Sequence, residues 1–215
     1  NSKKIIISGT SVREGLVLEN LSIKKLKHDP LISTCDEIAK QSERFDGLSA
    51  SLENLLLPII SIGDEKELSR LLKASCLLAD IAWNEHTSSR NIIASEKILL
   101  LPTNSLTHRE RAWLAKTLFH RYNRPIDLVK FPYNLKPILS LEDNYTSIIV
   151  GLSLRFAMAA CAGLPDLLNN IKINLSEEDL KVTFNANTKT LLVDHVYEKL
   201  KVLSFYLDKK LIVKL

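Results

Sequence analysis

From Asp29 to about Leu168 apolar residues recur at spacings of three and four almost without a break, and after Pro165 the spacing falls to two. A period near 3.6 buries one face of a helix and a period of two buries one face of a strand, so the chain must build a helical body carrying a small β-containing end. Local chemistry sets the boundaries. Asp29-Pro30 supplies an N-cap followed by proline at the first helical position, with Leu31, Cys35, Ile38 and Ala39 on one face. Gly47 to Ile60 and Asp64 to Trp83 read as the next two helices, the second with a stripe of Leu68, Leu71, Leu72, Ser75, Cys76, Leu78 and Ala79. Ser88 or Ser89 opens a helix that ends at Pro102, and Thr107 with Glu110 forms a capping box for a helix from His108 to Asn123. Phe131 to Pro137 is a loop or a broken helix, after which Ser140 with Asp143 opens a long helix reaching Leu164.

Beyond Pro165, Ile171 to Leu175 and Leu180 to Phe184 alternate apolar and polar residues around a short polar loop, the signature of a hairpin. A helix over Thr188 to Lys210, with Leu191, Leu192, His195, Val196, Leu200, Leu203 and Leu207 on one face, leads to a third strand at Leu211 to Leu215. A β-β-α-β unit of this size buries too little surface to stand alone and should dock on the helices. At the other end Lys4 to Ser8 is one short strand with no partner nearby, and a lone strand needs a sheet. It is expected to be the last strand of an upstream domain, followed by a helix from Arg13 to Lys27. The chain opens on Asn1 and its only methionine is Met158, so the natural start is expected further upstream. Three regions result: 1–28, 29–168 and 169–215.

Composition narrows the function classes. A net charge of +4 is too mild to argue for a nucleic-acid binder from the total alone, so a polyanion partner has to be argued from clustering. Sequence-specific nucleic-acid recognition is not expected. Cys35, Cys76 and Cys161 are an odd number at wide spacing within apolar helical patterns, which predicts buried free thiols and a cytoplasmic protein. The longest apolar helix is interrupted by Arg155 and carries Ala157, Ala159, Ala160 and Ala162, the texture of a packed core helix and not of a membrane span.

Two constellations carry chemistry. Leu77-Leu78-Ala79-Asp80-Ile81-Ala82-Trp83 resembles the metal-binding helix of HD-type phosphohydrolases with Ala79 in place of the histidine, and no histidine lies between His28 and His86. Imidazole and carboxylate ligands must converge on a divalent cation, so no metal is expected at this degenerate site of Ala79 and Asp80. The helix from His108 to Arg124 gathers Arg109, Trp113, Lys116, His120 and Arg124 in a strip about 80° wide, opposite Leu114, Ala115, Leu118, Phe119 and Tyr122. The strip is read as exposed, with Arg109, Lys116, His120 and Arg124 as candidate polyphosphate ligands, against the plain alternative of a solvated basic face. Arg111 falls on the apolar face, where an unpaired charge is costly, and Asp80 is its candidate partner in a buried ion pair. No nucleophile with an orienting base and no phosphate-cradling glycine loop is legible, so no catalytic residue is assigned.

Ser11-Val12-Arg13-Glu14-Gly15, Leu78 to Trp83, His108-Arg109-Glu110-Arg111-Ala112 and Arg121-Tyr122, in this order and spacing, resemble the C-terminal half of the exopolyphosphatase and guanosine pentaphosphate phosphatase family. The resemblance implies a mainly α fold: an HD-like helical domain with a small C-terminal β-β-α-β unit, preceded by the last strand and helix of an actin-like domain. It implies a part of an exopolyphosphatase-like phosphohydrolase that holds inorganic polyphosphate or guanosine pentaphosphate and builds a homodimer, with no membrane association. Hydrolysis and its magnesium then belong to the upstream half, and this chain carries no cofactor of its own. A purely structural interaction module without phosphate affinity is the alternative, and a degenerate HD-domain phosphohydrolase the third reading.

Overall fold

The computed structural model describes residues 12–20, 28–42, 44–123 and 130–215. It is mainly helical, with a three-stranded sheet near the C-terminus. Helix α1 spans Val12–Glu19. The strand expected at Lys4 to Ser8, residues 21–27 of the helix expected after it, and Arg124 lie outside the described residues.

Helix α2, Pro30–Ser42, begins where the sequence places it, with the Leu31 amide donating to the Asp29 carboxylate at 2.8 Å. Its buried residues are Leu31, Cys35 and Ala39. Helix α3, Leu48–Leu56, is shorter than expected, because Pro58 removes a helical donor and the chain tightens into a 3-10 turn over Leu57–Ile62. Helix α4, Glu65–Leu77, is N-capped by Asp64 and stops six residues before Trp83. The cause lies in the next segment. From Cys76 to Glu85 the chain folds into successive tight turns, and the Tyr122 hydroxyl clamps them by donating to the Ala79 carbonyl at 2.8 Å and accepting from the Ala82 amide at 3.1 Å.

Helix α5 is Arg90–Leu99, and α6, His108–Tyr122, carries the capping box of Thr107 and Glu110. The long helix α7, Leu141–Ala160, is closed at its start by the box of Ser140 and Asp143. It is buried on nearly every side, including Val150, Leu152, Leu154, Phe156 and Ala157. Among the described residues no helix is long and apolar enough to cross a membrane.

Strands β1, Ile171–Leu175, and β2, Asp179–Phe184, form the antiparallel hairpin in the register Ile171 opposite Phe184. Helix α8, Asp194–Leu207, then returns the chain so that β3, Lys210–Lys214, pairs parallel with β2. The alternate residues Ile171, Ile173, Leu180, Val182 and Phe184 are buried in the same apolar cluster as the helices, so the sheet shares the core of the helical body. Cys35, Cys76 and Cys161 are free and buried. Burial, with the charge of Asp29 second, pushes the Cys35 thiol up to about 12, which makes it a packing residue and not a nucleophile.

Candidate functional site

Helix α6 lies between α5 and α7 and is buried on both faces. From Ala112 onward this corrects the expected exposed strip, while Arg109 stays exposed at the helix start. A helix whose two sides both pack shows no single apolar stripe, and its polar residues then face the neighbouring helix. Trp113 is buried and donates from its indole nitrogen to Thr146 Oγ1 at 2.9 Å. Arg109 is held by Asp143, with Nε at 2.8 Å from Oδ2, and by Glu67 at 2.6 Å. The Lys116 ammonium donates to Asn144 Oδ1. His120 is buried against α7, and among the described residues neither ring nitrogen has a hydrogen-bond partner. Three of the four proposed phosphate ligands are therefore engaged or enclosed, and the fourth, Arg124, is not described.

Burial, followed by the charges of Lys116 and Arg155, pushes the His120 imidazole down to about 3. The unfolded chain takes up this proton near the ordinary value of 6.5, whereas the folded chain refuses it until about pH 3. Stability from this residue is thus complete above about pH 6.5 and falls as pH drops from there toward 3, by at most ~1.4 kcal/mol per pH unit. The expected result is a His120 ring resonance that does not titrate between pH 8 and 4, and a His120→Gln variant whose urea midpoint is less sensitive to pH in that range. Titration of the ring near 6.5 would contradict the burial.

Arg111 does not meet Asp80. Its guanidinium instead donates to the carbonyls of Ile98 at 2.9 Å, Leu101 at 2.6 Å and Thr103 at 2.6 Å, tying the end of α5 and the following loop to α6. Carbonyls at and just beyond a helix end keep a second lone pair free, and together they satisfy a guanidinium without a carboxylate. Asp80, 2% exposed, is claimed by other arginines. Arg44 grips it with two bonds, Nε to Oδ2 at 3.0 Å and Nη2 to Oδ1 at 2.9 Å, and Arg121 Nη2 lies 3.8 Å from Oδ1. The rings of Phe45 and Trp83 flank the Arg44 guanidinium at 5.1 and 5.4 Å.

These arginines open onto a cleft of about 330 Å³ lined by Arg44, Arg90, Arg121, Arg155 and Lys199, with Tyr122, Asn123 and Thr87. The five cations come from the turn after α2, the start of α5, the end of α6, the middle of α7 and α8. Among the described residues every salt bridge of the five ends on Asp80, so within that set positive charge outweighs negative at the cleft. Its members repel one another. Desolvation first, then Arg44 and Arg90, holds Arg121 below the usual guanidinium range; desolvation and Arg121 do the same to Arg155; and desolvation and Arg155 lower Lys199. Arg121 Nε is buried without a hydrogen-bond partner among the described residues, and no ion pair or hydrogen bond there engages Arg155. Arg90 donates from Nε to the Glu85 carbonyl at 2.7 Å, and Lys199 to the His195 carbonyl at 2.9 Å, which fixes their positions without neutralising them.

Such a cleft attracts a multiply charged anion, since guanidinium groups with spare donors bind phosphate oxygens strongly where water is partly excluded. Sequence reading missed it because its residues are scattered over 155 positions from Arg44 to Lys199. One signal was present: Arg155 stands alone as a charge inside the apolar run of α7. His86, which follows the Leu77 to Trp83 segment, is exposed and bonded to Ser88 Oγ at 2.7 Å. Among the described residues no group of three or more His, Cys, Asp or Glu side chains is arranged to hold a metal ion. A family model described as exopolyphosphatase, C-terminal, matches residues 36–213. A search of curated proteins finds no match to the chain.

Proposed function

Because the chain belongs to the exopolyphosphatase C-terminal family, we propose that it is the part of an exopolyphosphatase-like phosphohydrolase that holds the phosphate chain, and that the Arg44 to Lys199 cleft is where it holds it. The observation that carries this reading is the convergence of five cations on one cleft where, among the described residues, Asp80 is the one carboxylate they pair with. Arg121 and Arg155 supply donors that no described protein group uses. The anion is inorganic polyphosphate or the phosphate end of guanosine pentaphosphate, both linear, highly charged and readable through phosphate oxygens alone.

In this reading the bonds to phosphorus are broken in an upstream actin-like part, where magnesium neutralises the reacting phosphate. The helical body, HD-like in ancestry, contributes grip and not chemistry. A homodimer and a cytoplasmic location belong to the same proposal. The exposed Tyr197 and Phe205 of α8, with Val193 at its N-cap, offer apolar surface for such an assembly.

Polyphosphate should bind the 215-residue chain with an affinity that falls steeply with salt. Replacing Arg155 and Lys199 together by alanine should weaken it roughly tenfold or more, since both cations meet phosphate where water is partly excluded and a charge-assisted hydrogen bond is strongest. Replacing Arg109 and Lys116 should change it little, because both are engaged within the fold. Fluorescence anisotropy with a labelled polyphosphate separates the two. Equal binding by all variants would move the anion site away from this cleft, and no binding by the parent chain would favour the interaction module without phosphate affinity.

A further inference from the structure

Magnesium, the ion the family implies, reaches phosphate-binding sites through one or two carboxylates that share the ion with the phosphates. The cleft does not fit that requirement. Among the described residues the carboxylate paired with its cations, Asp80, has both oxygens bonded to Arg44, at 3.0 and 2.9 Å, with Arg121 at 3.8 Å, and its side chain is 1% exposed. The nearby Glu85 carboxylate is taken by the Lys97 ammonium at 2.8 Å. Five cations around the opening add a repulsive field against any divalent ion.

Resting on the phosphate-chain reading above, we infer that the Arg44 guanidinium stands in for a divalent cation on Asp80, so the cleft takes phosphate chains free of bound magnesium. Arg44 is then the residue that sets this specificity. It neutralises Asp80 with a fixed organic cation set against the Phe45 and Trp83 rings, and it covers both oxygens of the carboxylate that a metal riding in on the ligand would need. Magnesium on the chain also cancels the charges that Arg121, Arg155 and Lys199 would otherwise meet. Binding at this cleft and metal loading of the chain therefore compete.

The test is a titration of the 215-residue chain with sodium polyphosphate, once in chelator and once in millimolar magnesium, with sodium chloride matching the ionic strength. Affinity should fall on the order of tenfold in magnesium. Manganese in place of magnesium should leave the Ala79 and Asp80 amide resonances sharp with polyphosphate present. In Arg44→Ala the freed Asp80 carboxylate can accept the ion, so magnesium should weaken binding far less than in the parent chain. Affinity unchanged or raised by magnesium, broadening centred on Asp80, or an Arg44→Ala variant with the parent's full magnesium sensitivity would each overturn the inference while leaving the phosphate-chain reading intact. Absence of binding in both solutions would instead overturn that reading, and the inference with it.

Discussion

Replacing Asp80 with asparagine should lower stability by about 3 kcal/mol, the lower end of what removing one partner of a buried ion pair costs. The lower end applies because the Arg44 side chain is 35% exposed and recovers some hydration, whereas Arg121, at 12%, does not. For a chain of this length the loss corresponds to a fall in Tm of roughly 6–12 °C. Two consequences separate an electrostatic cause from a packing defect. Added sulfate or polyphosphate should restore more stability to Asp80→Asn than to the parent chain, because the variant cleft has lost its internal anion. Isosteric substitution also leaves no void, so sulfate should restore more of the loss than chloride does at equal ionic strength. A variant as stable as the parent in dilute buffer would show that Asp80 is not the counter-charge of the cleft.

Gly151→Ala should cost about 2 kcal/mol net, against the usual gain of ~0.5–1 kcal/mol when alanine replaces glycine within a helix. A Cβ at position 151 would sit 2.5 Å from the Thr117 carbonyl oxygen and 2.7 Å from His120 Cβ. The first is backbone in the middle of α6 and cannot swing aside, so α6 and α7 must separate. Arg155 lies one turn beyond Gly151 and Arg121 one turn beyond Thr117, and widening this crossing pulls apart the two guanidiniums with unused donors. The variant should therefore lose polyphosphate affinity as well as stability, without altering any cleft residue. Thermal unfolding and anisotropy on the same preparation check both. A more stable variant would mean the helices cross further apart than described.

Both predictions depend on tertiary placement, and that is where the sequence stops being readable. Caps are local, so Asp29, the Thr107 and Glu110 box and the Ser140 and Asp143 box could be located from spacing alone. The hairpin was legible for the same reason: period-two alternation around a polar loop is contained within fourteen residues, 171–184. The end of α4 was not, since its apolar stripe continues to Ala79 and the helix is broken by a tyrosine hydroxyl forty-three positions away. The polar strip of α6 misled because periodicity reports which residues share a face and not what lies opposite it. Arg111 misled similarly, as a buried guanidinium can be satisfied by carbonyls at a helix end as well as by a carboxylate. The cleft itself draws on five separate elements, so no window of sequence contains it.

The claim that this cleft is the phosphate-chain site is tested most directly by following arginine Nε and lysine Nζ resonances while inorganic polyphosphate is titrated into the isotopically labelled chain. The largest shifts should fall on Arg121, Arg155 and Lys199, with Arg44 moving less because Asp80 already holds it and Arg109 nearly still. Shifts centred on Arg109 and Lys116, or spread evenly over the exposed lysines with none at Arg121 and Arg155, would contradict the account.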